Sequence, residues 1–263
     1  MAYQATVGVP SRISVNKIRL ADLVDALDKG IDDFKAKPTH LFFLAVIYPV
    51  ATFLGYLVVS NHNLMPLVFP LMAGLVLIGP FVGIAMEEMS HHRERGMDMS
   101  WGHAFNFFEE PAAKDIGILG ALIVALFLGW VAMANTIYVM TVGDAWSTGT
   151  MAVQDFVTAV LTTHQGWMLI LIGNAVGLMF AIVSLAIGAI SFPMLLDKPV
   201  GLATAVETSI RAVMANPIPL AAWGIFVAVS LLVSALPLLV GLAVMVPVLG
   251  HATWHLYRKI VNV

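Results

Sequence analysis

Long apolar runs broken by short polar segments dominate this chain. A helix needs about 20 mostly apolar residues to cross ~30 Å of hydrocarbon. Six stretches reach that length: Thr39 to Ser60, Leu64 to Met86, Asp115 to Thr141, Trp167 to Ser191, Ile218 to Leu236 and Leu238 to Tyr257. None alternates polar with apolar as the strands of a membrane barrel do, so helices are the predicted spans. The last two meet at Pro237 with almost no polar residue between them, which predicts a tight hairpin.

Shorter amphipathic segments lie between the spans. Residues 19–35 put Leu20, Leu23, Val24, Leu27, Ile31 and Phe34 on one helical stripe, with Asp22, Asp25, Asp28, Lys29 and Asp32 opposite. A mainly acidic polar face binds anionic lipid poorly, so this helix is expected to dock partly on protein. Residues 201–214 repeat the pattern: Leu202, Val206, Ile210 and Val213 match Leu23, Leu27, Ile31 and Phe34, and Pro217 then matches Pro38. MSWGHAFNFFEEP, ending at Pro111, offers a shorter apolar face in the middle of the chain. Each amphipathic segment precedes two spans, and the second span of each pair carries a proline near one end, at Pro80, Pro193 and Pro247. The chain thus reads as a single membrane domain of three repeated units, about 19–95, 96–198 and 199–263, each an amphipathic helix plus a helical hairpin. An extracytoplasmic insertion at about 142–166 aligns Val153, Phe156, Val157, Val160 and Leu161, predicting an interfacial helix.

Composition supports the membrane assignment. Of 263 residues, 60% are hydrophobic and 11% charged, against about 45–50% and roughly 25% in soluble domains, and the mean hydropathy is +0.91. With a net charge of -3 and no basic patch, no nucleic-acid partner is expected. Cysteine is absent, which removes disulfides, thiolate nucleophiles and cysteine metal sites. Residues 1–38 hold no apolar core of a signal peptide. Topology follows from the 13 Lys and Arg residues. Arg12, Lys17, Arg19, Lys29, Lys35 and Lys37 precede the first span, and Arg93, Arg95 and Lys114 separate the second from the third. Lys198 and Arg211 separate the fourth from the fifth, and Arg258 and Lys259 follow the sixth. Six crossings put all of them on one side, which the positive-inside rule makes cytoplasmic, with both termini there. The expected location is a cell membrane, multi-pass, with the lipid bilayer as the first partner.

No acidic residue falls well inside a span, which counts against a proton- or ion-coupled pump. Asn135, Thr136, Asn174, Ser184, Ser230 and Ser234 are mild polar exceptions, expected to hydrogen-bond between helices. Trp146 and Trp167, and Trp101 and Trp254, fall where outer and inner interface belts are expected. The stretch GPFVGIAMEEMSHHRERGMDM, 79–99, holds the densest candidate chemistry: Glu87, Glu88, Met89, His91, His92, Met97 and Met99. His251 and His255 lie one turn apart near the end of the last span, with His40 and His103 on the same side. Convergence of Glu87, His91, His92, His251 and His255 would build a metal site or supply axial ligands for a haem. The competing reading is that spans must end in polar groups, with EEMSHHRER a solvated continuation of the second; on that reading no cofactor is expected. No phosphate loop, nucleophile elbow or confined carboxylate pair occurs, so a non-enzymatic role is expected.

The runs GPFVGIAMEEMSHHRERGMDMSWGHAF, RAVMANPIPLAAWG and VPVLGHATWHLYRKIV resemble a bacterial integral membrane family, domain of unknown function 2189, from about Val15 to the end. The resemblance implies a bacterial cell inner membrane as the location, and no catalytic residues. Some relatives carry the name cytochrome c oxidase subunit, which implies an association with a respiratory complex. A catalytic oxidase subunit needs about a dozen spans with histidines deep inside them, and this chain does not fit that. The expected function is an accessory, assembly or scaffolding subunit of a larger membrane complex, with other membrane-protein subunits as partners. The alternatives are a transporter or channel for a small or lipid-like substrate, lined by Asn135, Asn174 and Ser184, and a metal- or haem-handling protein.

Overall fold

A computed structural model describes residues 13–60, 66–74, 76–77, 79–99, 112–143 and 153–262. Its helices are α1 (Leu20–Ala36), α2 (His40–Ser60), α3 (Val68–Gly74), α4 (Gly79–Val82), α5 (Ile84–Glu94), α6 (Ala113–Tyr138), α7 (Val153–Thr162), α8 (His164–Gly188), α9 (Ser191–Asp197), α10 (Leu202–Ala215), α11 (Pro217–Ala235) and α12 (Leu242–Ile260). A π-helical turn, Val139–Gly143, extends α6. The expected middle amphipathic segment, with Trp101 and His103, lies outside the described residues, as does Trp146.

Four helical stretches are long and apolar enough to cross a membrane: His40–Leu57, Ala113–Gly143, His164–Asp197 and Pro217–Ala235. They correspond to the first, third, fourth and fifth expected spans. The second expected span is segmented into α3, α4 and α5, with a turn at 76–77. Its cause is local. Pro80 has no N–H to donate into the preceding turn, and Val76, Leu77 and Gly79 donate three residues back instead of four. Carbonyls freed in an apolar setting need donors from other helices. Trp130 Nε1 donates to Pro70 O at 2.8 Å and Ser184 Oγ to Leu77 O at 2.7 Å. Helix α12 takes the place of the sixth span and is not among the four. Between α11 and α12 the tight hairpin is present, and Leu238 (φ 51) and Leu239 (φ 66) adopt left-handed backbone to make it.

The densest core lies at one end of the bundle, hereafter the collar. Ile84, Ile116, Leu119, Phe192, Met194, Leu249, Trp254 and Tyr257 are buried there together. Helix α1 docks on protein, as expected: Leu23 and Leu27 of the stripe pack on the core, but the closest approach runs along a seam of small residues beside it. Ala26, Gly30 and Asp33 are buried against α12, while Leu20 and Val24 of the apolar stripe stay exposed. A Cβ on Gly30 would stand 2.6 Å from the backbone nitrogen of Ala252, so only glycine permits this approach. Helix α10 uses the matching positions: Ala205, Ser209 and Ala212 are buried, and Ile190 N donates to Ser209 Oγ at 3.3 Å. The ends of the described chain also meet. Strand β1 (Ser14–Val15) pairs antiparallel with β2 (Val261–Asn262). Asn216 clamps the approach, accepting from Ile18 N at 2.8 Å and donating to Asn16 O at 2.9 Å.

Candidate functional site at the collar

Polar side chains of α1, α5, α9 and α12 meet inside the collar in two connected groups. The first centres on Asp33. Its Oδ2 accepts from Ser90 Oγ at 2.5 Å and from His255 Nε2 at 2.8 Å, and its Oδ1 from Arg93 at 2.5 Å. Ser90 Oγ also lies 2.8 Å from His251 Nδ1. A serine hydroxyl has one proton, and Asp33 receives it, so His251 donates its Nδ1–H to Ser90 and leaves Nε2 bare. That Nε2 is buried with no partner among the described residues. Burial alone would raise the Asp33 carboxyl, but hydrogen bonds from His255 and Ser90 outweigh it and hold the group below its ordinary value.

The second group joins α5 to α9 and α12. Glu88 stands 3.1 Å from His92 Nδ1 and 3.5 Å from His91 Nδ1, and His91 Nε2 lies 3.7 Å from Asp197 Oδ1. The His91 ring packs on Trp254 with centroids 4.6 Å apart. Trp254 Nε1 donates to Glu94 at 3.0 Å and Arg258 Nε to the same carboxylate at 3.1 Å. Tyr257 donates its hydroxyl to Asp197 at 2.8 Å.

The five candidate ligands are therefore divided. His251 and His255 meet through Ser90 and Asp33, while His91 and His92 share Glu88. Glu87 is buried with an Oε2 that has no partner among the described residues. A lone carboxylate there is costly, and the neutral acid is what the seam accommodates. Among the described residues no three His, Asp or Glu side chains are arranged to hold a metal ion.

Two sequence expectations need correction. EEMSHHRER is not a solvated extension: Glu87, Glu88, Ser90 and His91 are all buried, because α5 is covered by α9 and α12. Trp254 is no belt residue, since it is fully buried between His91 and Tyr257. Trp167, half exposed near the start of α8, does suit a belt. Sequence reasoning missed Asp33, Ser90, Glu94 and Asp197. One available signal was that Asp33 continues the helical row of two small residues, Ala26 and Gly30.

The Asp33–Ser90–His251 order also differs from a hydrolytic triad, in which the imidazole stands between hydroxyl and carboxylate. Here the hydroxyl is in the middle and Ser90 is 1% exposed. The arrangement ties α1, α5 and α12 together.

Residues 68–197 match the family model described as "Predicted integral membrane protein (DUF2189)". This stretch belongs to that family. The chain is an integral membrane protein with several apolar helices. The family match runs from α3 through α9, so it includes Glu88, His91 and Asp197 but not Asp33, His251 or His255. The collar site is thus shared between the family segment and the flanking helices α1 and α12. No curated protein and no solved structure matches the chain.

Proposed function

We propose that this protein is a non-enzymatic accessory, assembly or scaffolding subunit of a larger complex in a bacterial inner membrane. Three helix-plus-hairpin units cross the bilayer six times, with the collar and both termini on the cytoplasmic side. Pairing of β1 with β2 supports an even number of crossings. The shared small-residue seams of α1 and α10 support the repeat.

One observation carries the functional reading. The buried collar carboxylates Asp33 and Asp197 are bonded to the protein's own helices, while Asn135, Thr136 and Asn174 are exposed on the outer surfaces of α6 and α8. The polar groups at the collar hold the bundle together, while Asn135, Thr136 and Asn174 stay on the outside of the spans, where helices of other subunits would meet them even though Thr136 and Asn174 each donate one bond to their own helix. Affinity purification of the tagged full chain from mild detergent should recover a stoichiometric membrane-protein companion, with respiratory subunits the first to look for. Recovery of a lone monomer refutes the proposal.

The segmented second span favours one alternative, a transporter, because irregular backbone at membrane depth often lines a substrate path. Against it, Ser184 is spent on the Leu77 carbonyl, and Asn135 and Asn174 face outward.

A further inference from the structure

On the collar, Lys29 and Asp33 of α1, Ser90, Arg93 and Glu94 of α5, and His255 of α12 line an open cleft of about 340 Å³. It is shallow and open to solvent, so it can contact one group of a ligand and does not enclose the whole of it. Its opening is set by the rotation of α1. Lys29 lies two residues from both Leu27 and Ile31, about 200° around a helix, so the cleft faces away from the apolar stripe with the exposed Leu20 and Val24. If that stripe meets lipid, the cleft meets water.

The charges of the lining are unequal in availability. Both oxygens of Asp33 are engaged, by Arg93, Ser90 and His255. Both oxygens of Glu94 are engaged by Trp254 and Arg258. The nitrogens are less committed. Arg93 has five N–H donors and, among the described residues, spends Nη1 on Asp33. Lys29 holds Asp25 at 3.1 Å in an exposed pair, a kind of contact that contributes little. Asp25 also holds Lys259 at 2.8 Å, so Lys29 can leave it without stranding a charge.

We propose that this cleft binds the phosphate group of a small water-soluble ligand, with Lys29 and Arg93 as the principal contacts and His255 at its edge. An arginine fork and an exposed lysine ammonium lining the same cleft suit a phosphate's several oxygens. The inference stands apart from the scaffold proposal, since a scaffold without companions could still carry the cleft.

The test is calorimetric titration of inorganic phosphate into the full-length protein in phosphatidylcholine nanodiscs. Saturable binding is expected. Lys29→Gln should weaken it about tenfold, the effect of losing one charge-assisted contact. Lys35→Gln, an exposed lysine of α1 outside the cleft, should leave it unchanged. Because Asp25 keeps Lys259, the Lys29 variant is expected to fold normally. Absence of saturable binding overturns the proposal, as does equal weakening by both variants. Silence with free phosphate combined with binding of nanodiscs containing phosphatidic acid also overturns it, because the ligand would then be a lipid.

Discussion

Replacing Gly30 with alanine sets two effects of known size against each other. In the middle of a helix, alanine is favoured over glycine by about 1 kcal/mol. At this position, however, the added Cβ would stand 2.6–2.8 Å from the nitrogen, Cα and Cβ of Ala252. Two of those three atoms are backbone, so no rotamer change can relieve the clash, and α1 must move off α12. Overpacking of a tight core costs about 1–3 kcal/mol, and an immovable neighbour places this case at the upper end. Lifting α1 would also lengthen the bonds from Asp33 to Ser90, Arg93 and His255. The net expectation is a loss of about 1–2 kcal/mol. Gly117→Ala supplies the internal comparison, since nothing lies within 4 Å of a Cβ there, and it should be neutral or slightly stabilising. The chain has no cysteine, so Ala26→Cys, fully buried in the seam, can report the motion. Under Gly30→Ala a water-soluble maleimide should label Cys at this position markedly faster, and the thermal midpoint in detergent should fall. If Gly30→Ala melts at or above the parent midpoint with residue 26 still protected, the close approach of α1 to α12 is wrong.

Asp33→Asn should cost about 3 kcal/mol, the lower end for breaking a buried pair because Arg93 is half exposed. The native carboxyl lies below its ordinary value, so its contribution is fully present above the ordinary carboxylate range and is lost as pH falls from there through the lower value of the folded protein. The difference in thermal midpoint between parent and Asp33→Asn should therefore shrink on acidification, and a constant gap contradicts the network. Ser184→Ala leaves the Leu77 carbonyl without that donor and should cost about 1–3 kcal/mol, read by unfolding in a detergent titration. A change within error would mean the break in the second span is satisfied some other way.

Hydrophobic length located most spans closely, because hydrocarbon thickness imposes it: Thr39 to Ser60 became His40–Ser60, and Ile218 to Leu236 became Pro217–Ala235. Length says nothing of continuity. The interruption between Gly74 and Gly79 depends on Pro80 and on donors from Trp130 and Ser184, two residues on other helices. The amphipathic stripe of residues 19–35 predicted a docked helix, and Leu23 and Leu27 do pack on the core, yet the closest approach falls on the small-residue flank of Ala26 and Gly30, since backbone approach is governed by side-chain size as well as hydrophobicity. The histidines were visible as a cluster, but their partners were not. Asp33 and Asp197 come from segments distant in sequence, and one helical step decides whether Glu87 or Glu88 faces His91 and His92.

The contact between Asp33 and His255 joins residues 222 positions apart, and it has a consequence for biogenesis. A ribosome makes α1 early, while the surface it must seal against is made only after every other described helix. Until then Asp33 has only Ser90 and Arg93 of α5 as partners and lacks His255, and the groove at Gly30 stays uncovered. Emergence of α12 and sealing of the α1 seam are therefore one event, so a chain released short of α12 would display an unsealed flank open to quality-control proteases.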